Sequence, residues 1–137
     1  MEDNNKILIV DDVAKNIQMA MNILKNEGYK MFYAKSGEMA LKLVDEHDFD
    51  LILLDIMMPD INGFEVCKKL KSNNKTKKIP IIFLSGKDSS SDIEQAYECG
   101  GIDYVVKPFI TIELITKVNS YVRLKQLEDK FEISKES

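Results

Sequence analysis

The chain has 137 residues, of which 45% are hydrophobic and 31% charged, with a formal net charge of −4. That length suits one domain, and the balance excludes a disordered or collagen-like chain. No apolar run approaches the ~20 residues of a membrane span, the polar opening shows no signal-peptide pattern, and the acidic charge gives no reason to expect nucleic-acid binding.

The predicted elements alternate along the chain. Residues 7–10 read as a strand, followed by Ile17, Ala20, Met21 and Leu24 at helical spacing, with Gly28 closing that helix. Residues 30–34 read as a second strand. Ser36 is a candidate cap for a helix carrying Ala40, Leu43, Val44 and His47. Residues 51–54 form a third strand, and Asn62 caps a stripe of Phe64, Cys67 and Leu70. Residues 79–84 form a fourth strand, followed by a stripe of Ile93, Ala96, Tyr97 and Gly100. Residues 104–106 form a fifth, followed by Ile115, Val118 and Val122. Strict alternation predicts a parallel, doubly wound sheet with helices on both faces. Ligands then bind outside the carboxyl ends of the strands.

That edge collects chemistry. The first predicted strand leads into Asp11 and Asp12, the third into Asp55, the fourth into Ser85 and the fifth into Lys107. One Asp after a strand is usually a cap or turn residue, and Asp12 alone reads equally well as an N-cap. Three acids together repel unless a cation neutralises them, and a purely structural motif rarely accepts that cost. Carboxylate oxygens suit Mg²⁺, lysine supplies a point charge, and an ionised Asp is a nucleophile that needs no base. The set suits phosphoryl transfer.

The stretches ILIVDD ending at Asp12, LLDIMMPDING ending at Gly63, IIFLS ending at Ser85 and DYVVKPF ending at Phe109 carry a resemblance. Together they resemble the receiver domains of bacterial two-component response regulators, of the chemotaxis-regulator kind. The likeness covers about residues 5–124. It implies an α/β, flavodoxin-like fold with a five-stranded parallel sheet in the order 2-1-3-4-5 and five flanking helices. It also implies that Asp55 is the phosphoacceptor for a phosphoryl group from a histidine kinase. Asp12, Asp55 and the Met57 carbonyl would ligate Mg²⁺, with Asp11 holding it through water. Lys107 and Ser85 would contact the phosphoryl group, and Tyr104 would be the aromatic switch that follows Ser85. The Lys107–Pro108 bond would be cis, and residues 92–123 would form the signalling face. The expected partner is a sensor histidine kinase or a histidine phosphotransfer protein. Such a module is a switch that acts on itself, not a turnover enzyme.

Three other readings compete. A haloacid-dehalogenase-type phosphatase needs a second Asp two residues after its nucleophile, but Val13 and Met57 stand there. A flavodoxin-like cofactor binder needs a Ser-, Thr- and Gly-rich loop after the first strand, where this chain has DDVAKN instead. A degenerate receiver that only binds partners conflicts with the intact acid cluster.

Weaker signals remain. Met57 is apolar and cannot orient a water, which predicts slow self-dephosphorylation. Lys87 reads as either a phosphoryl contact or a loop lysine. Lysines 68, 69, 71, 75, 77 and 78 read as a solvated face, His47 as a packing residue and Cys67 as core. Tyr97, Ile102, Tyr104 and Tyr121 read equally well as core or as exposed signalling surface. The two widely separated cysteines, Cys67 and Cys99, fit a reduced cytosolic compartment. Residues 1–123 are expected to form the receiver. Leu124, Leu127 and Phe131 continue an apolar stripe through 124–137, a helical tail, a homodimer seed or a linker. The expectation is a piece of a longer protein, with an output module following.

Overall fold

The computed structural model describes residues 5–86 and 90–136, with side chains described as far as residue 132. Lys87 therefore lies outside the described residues. The strands are β1 (Lys6–Val10), β2 (Lys30–Ala34), β3 (Leu51–Asp55), β4 (Ile81–Ser85) and β5 (Asp103–Val106). The helices are α1 (Ala14–Leu24), α2 (Gly37–Glu46), α3 (Gly63–Lys71), α4 (Ser90–Glu98) and α5 (Thr111–Glu136). All strand pairs are parallel, in the order β2-β1-β3-β4-β5.

The central strands are apolar because both of their faces are covered. Every residue of β3 and β4 is buried. Their period of two divides one apolar run between two cores. Leu8, Val10, Ile52, Leu54, Ile81 and Phe83 pack toward α2, α3 and α4. Ile7, Ile9, Leu51, Leu53, Ile82 and Leu84 pack toward α1 and α5. Each such side chain contributes roughly 1.5–3 kcal/mol relative to exposure. The edge strand β2 is different, with Lys30 and Tyr33 exposed.

Local signals place the helix starts. Ser36 Oγ accepts the Met39 amide at 3.1 Å, and Asn62 Oδ1 accepts the Glu65 amide at 3.0 Å. Gly28 and Gly100 adopt φ of +87° and +111°, turning the chain after α1 and α4. Three differences from the expected boundaries have physical causes. β4 starts at Ile81, not Ile79, because the Ile79 amide is tied to the Thr76 carbonyl in a turn (3.1 Å) and Pro80 has no amide. β3 takes in Asp55, which sits in register with Leu84 while the Ile56 amide bonds the Leu84 carbonyl. The last stripe and the tail are one helix, α5, of 26 residues, with no Gly or Pro to break it.

His47 packs as expected, with its ring 4.5 Å from Phe32 and 5.9 Å from Phe49. Both thiols are buried: Cys67 Sγ donates to the Cys99 carbonyl and Cys99 Sγ to the Ala96 carbonyl, each at 3.3 Å. Burial first, then the neighbouring Cys99, pushes the Cys67 thiol up to about 12. Half of the lysine cluster has side-chain partners among the described residues. Lys71 donates to the Lys77 and Ile79 carbonyls at 2.9 and 2.8 Å, Lys75 to the Asp45 carbonyl, and Lys78 pairs with Glu132. Among the described residues no helix is long and apolar enough to cross a membrane.

Candidate functional site

A parallel sheet brings every strand's carboxyl end to one edge, so sequence-distant residues meet there. Asp11 and Asp12 follow β1, Asp55 ends β3, Ser85 ends β4 and Lys107 follows β5. Asp11, Asp55 and Ser85 are buried, while Asp12 is exposed. The Lys107 ammonium lies 3.1 Å from Asp11 Oδ2 and 3.0 Å from Asp55 Oδ1. Its amide donates to the Ser85 carbonyl at 2.7 Å, and the Lys107–Pro108 peptide is cis.

Asp11 is held on both oxygens. Its Oδ1 accepts the Val13 amide at 2.9 Å and Asn16 Nδ2 at 3.4 Å, while Oδ2 accepts Lys107. The cap position of α1 falls to Val13, with no side-chain cap, so Asp12 is not an N-cap.

The electrostatics call for a cation. Burial, first of all, pushes the Asp55 carboxyl up to about 6; Lys107 pulls it down, and the Asp11 charge and an Asp12 contact push it up. Burial pulls the Lys107 ammonium down, but its bonds and ion pairs with Asp55 and Asp11 outweigh this and raise it. Asp11, Asp12 and Asp55 each present a ligand oxygen, and these lie within 4.8 Å of one another. Clustered carboxylate oxygens beside a solvent-open Asp12 suit a hard divalent cation such as Mg²⁺.

The loop between β3 and α3 is tied down by contacts that no local signal announces. Gly63 approaches the strand it follows: its amide bonds the Ile56 carbonyl at 2.8 Å, and a Cβ there would lie 2.3 Å from the Asp55 carbonyl oxygen. The obstacle is backbone, so Gly63→Ala is expected to destabilise the fold by about 2 kcal/mol, read as a lower urea midpoint. Asp60 reaches back to α2, accepting the Gly37 and Glu38 amides at 3.1 and 2.9 Å. Those bonds, the Glu38 one first, hold its carboxyl below the usual range. Met57, in the same loop, is 75% exposed. Asn62 pointed only to a cap, and the partners of Asp60 lie 22–23 residues upstream.

The residues of the expected signalling face divide. Tyr97 is exposed, and Ile102, Tyr104 and Tyr121 are partly buried against the two cores.

Comparison with known proteins agrees with this geometry. The family described as "Response regulator receiver domain" matches residues 7–119. A Vibrio cholerae protein named "Probable cyclic di-GMP phosphodiesterase" is 39% identical over 131 residues, covering 94% of this chain and 30% of that protein. Response regulator PleD of Caulobacter vibrioides is 36% identical over 124 residues, covering 90% of this chain and 27% of PleD. The chain thus spans under a third of these two relatives. Chemotaxis response regulator CheY4 of Vibrio cholerae superposes with a TM-score of 0.81 at 29% identity, covering 87% of this chain and 99% of that one. With its sheet order, its acidic edge and a family match over most of its length, the chain belongs to the response regulator receiver domains of two-component signal transduction.

Proposed function

We propose that Asp55 accepts a phosphoryl group from a phosphohistidine on a sensor histidine kinase or a histidine phosphotransfer protein. The observation that carries this is the buried Asp55 carboxylate at the sheet edge, with Lys107 at 3.0 Å and two further acids beside it. An Asp55 oxygen attacks phosphorus, the P–N bond breaks, and the imidazole nitrogen keeps the bonding pair. No general base is needed once Asp55 is ionised. Asp12, Asp55 and the Met57 carbonyl would hold Mg²⁺ directly, and Asp11 through water. Asp11 suits the indirect role because its oxygens already accept Val13, Asn16 and Lys107. When bound, the ion supplies charge neutralisation between the carboxylate and the incoming phosphoryl oxygens.

Transfer replaces one negative charge by roughly two and adds acceptor oxygens. That favours the conformer in which Ser85 and Lys107 draw in and Tyr104 follows, a population shift across residues 92–123. The partner's docking surface is the rim of the same pocket. Val13, Met57 and Ile110 are 47%, 75% and 61% exposed. Lys15, Asn16, Met19, Lys107, Pro108 and Phe109 line a cleft of about 390 Å³ beside them. Exposed apolar residues around a reactive group fit a protein partner that carries the histidine.

Residues 1–123 act as the receiver and 124–137 as its helical tail or linker. An output module, or homodimer contact through Leu124, Leu127 and Phe131, is consistent with the greater length of the relatives and the exposure of that stripe. Two buried free thiols favour a reducing, cytoplasmic setting. The chemistry is a switch on the protein itself, with self-dephosphorylation in place of turnover.

The test is labelling from a phosphohistidine donor. It should yield one acyl phosphate per chain that is lost on chelation of Mg²⁺ before mixing; labelling of another residue type overturns the reading. A second expectation concerns lifetime. Met57 has no group to orient a hydrolytic water, so Met57→Asn should shorten the phosphoryl half-life several-fold. An unchanged decay rate would remove Met57 from that role.

A further inference from the structure

We infer that Lys117 is a positioning residue that holds the Tyr104 ring on its α4–α5 side and so sets the resting balance of the switch. This rests on the reading of Tyr104 as the switch residue, and it adds the group that weights it.

The observations converge on one ring. The Lys117 ammonium stands 5.3 Å from the centroid of Tyr104, within reach of its negative face. The same nitrogen donates to the Tyr104 carbonyl at 2.8 Å, so it grips both the ring and the backbone of one residue. The Tyr97 ring meets Tyr104 edge-on, 6.4 Å away at 84°.

Lys117 is itself aimed. Asp103 Oδ1 lies 3.3 Å from its ammonium and Glu113 Oε2 lies 3.4 Å away on the preceding turn of α5. Asp103 in turn accepts the Tyr121 hydroxyl on Oδ2 at 2.9 Å and the Tyr104 amide on Oδ1 at 2.7 Å. Lys117 is only 26% exposed, so solvent screens these contacts incompletely. Burial lowers its ammonium, and the two carboxylates outweigh that and keep it charged.

A Tyr104 ring that travels toward Ser85 leaves both the cation and the Tyr97 edge behind. Phosphorylation must therefore overcome these contacts, and their strength decides how much of the protein is switched before any phosphoryl group arrives. The Lys117 grip on the Tyr104 carbonyl keeps the cation at its post while the ring moves.

Lys117→Met keeps the stem and removes the charge, whereas Lys117→Arg keeps the cation. Two readouts are taken on the full chain. One is the Tyr104 ring resonance in the unphosphorylated, metal-free protein. The other is the rate of labelling by acetyl phosphate with Mg²⁺. Lys117→Met is expected to move the ring signal toward its position in the phosphorylated protein and to speed labelling about five-fold, while Lys117→Arg stays near wild type. An unmoved ring signal and an unchanged rate in Lys117→Met overturn the inference, as does an arginine variant that behaves like the methionine one. Tyr104→Ala separates the two levels. If it leaves the phosphorylation-induced shifts of α4 intact, the switch reading itself falls. If it abolishes them while Lys117→Met is silent, only the role of Lys117 falls.

Discussion

Asp55→Asn is expected to remove all acyl-phosphate labelling and, without divalent cations at neutral pH, to stabilise the protein. The first effect follows from chemistry, because the amide has no ionised oxygen to attack phosphorus. The second follows from burial. The Asp55 carboxyl is raised to about 6, mainly because the fold desolvates it. An unfolded Asp titrates near 3.9. The native state therefore binds the proton more tightly. The stabilising contribution is fully present below about pH 4 and is lost as pH rises through about 6. Set against the unfolded value, the contribution is roughly 3 kcal/mol at most, lost by pH 7. Asparagine keeps an oxygen for Lys107 and carries no charge, so its stability should be flat across that window. Urea midpoints from pH 4 to pH 8 measure both curves. Parallel curves would show that Asp55 does not carry the charge strain. Full labelling of the variant would show that it is not the acceptor.

Lys107→Ala should act in the opposite direction on stability. The side chain bridges Asp11, which is fully buried, and Asp55, which is nearly so. Removing it leaves two buried carboxylates facing each other without a counter-charge. Breaking a buried ion pair from one side typically costs about 3–5 kcal/mol, and the open Asp12 side of this pocket argues for the lower figure. Added Mg²⁺ should recover much of that loss, because a cation that binds only the native state stabilises it by mass action. Labelling should fall about a hundred-fold even with the metal present, the scale of losing one preorganised charge at a transferring group. Thermal melts with and without Mg²⁺, alongside labelling rates, test the pair of claims. A variant as stable as wild type in the absence of metal would contradict the bridging role.

The contrast between these substitutions explains why so much of the site was readable from the sequence. A doubly wound sheet delivers the ends of its strands to one edge, so strand ends mark candidate site residues in the sequence itself. Asp11, Asp12, Asp55, Ser85 and Lys107 all needed only that rule. The order of the sheet came with the family resemblance, since periodicity alone does not choose among doubly wound orders.

Features that depend on distant approach were not legible. Gly63 looked like the residue after a cap; that its α-carbon sits against the Asp55 carbonyl emerges only once α3 is packed. Asp60 carried no signal for α2, because its partners are first-turn amides of a helix 22–23 residues upstream. The early end of the fourth predicted strand failed for a simpler reason: Ile79 is apolar, yet its amide is engaged in a turn. Tyr97, Ile102, Tyr104 and Tyr121 read equally well as core or surface, and the structure divides them: Tyr97 is exposed, while the other three are partly buried against the cores.

One feature of α5 carries a mechanical meaning. The helix runs unbroken from Thr111 past the Lys117 hub to Glu136. It is pinned near its far end by Glu132 to Lys78 and in its middle by Lys125 to Asp50. A continuous helix without Gly or Pro is a stiff rod. At ~1.5 Å of rise per residue, a tilt of about 5° about the turn of Lys117 carries the far end some 2–3 Å. That is enough to strain the Lys78–Glu132 contact. Tilted about that turn, which lies beside Tyr104, such a rod would carry a small rearrangement at the sheet's carboxyl edge to its far end as a displacement.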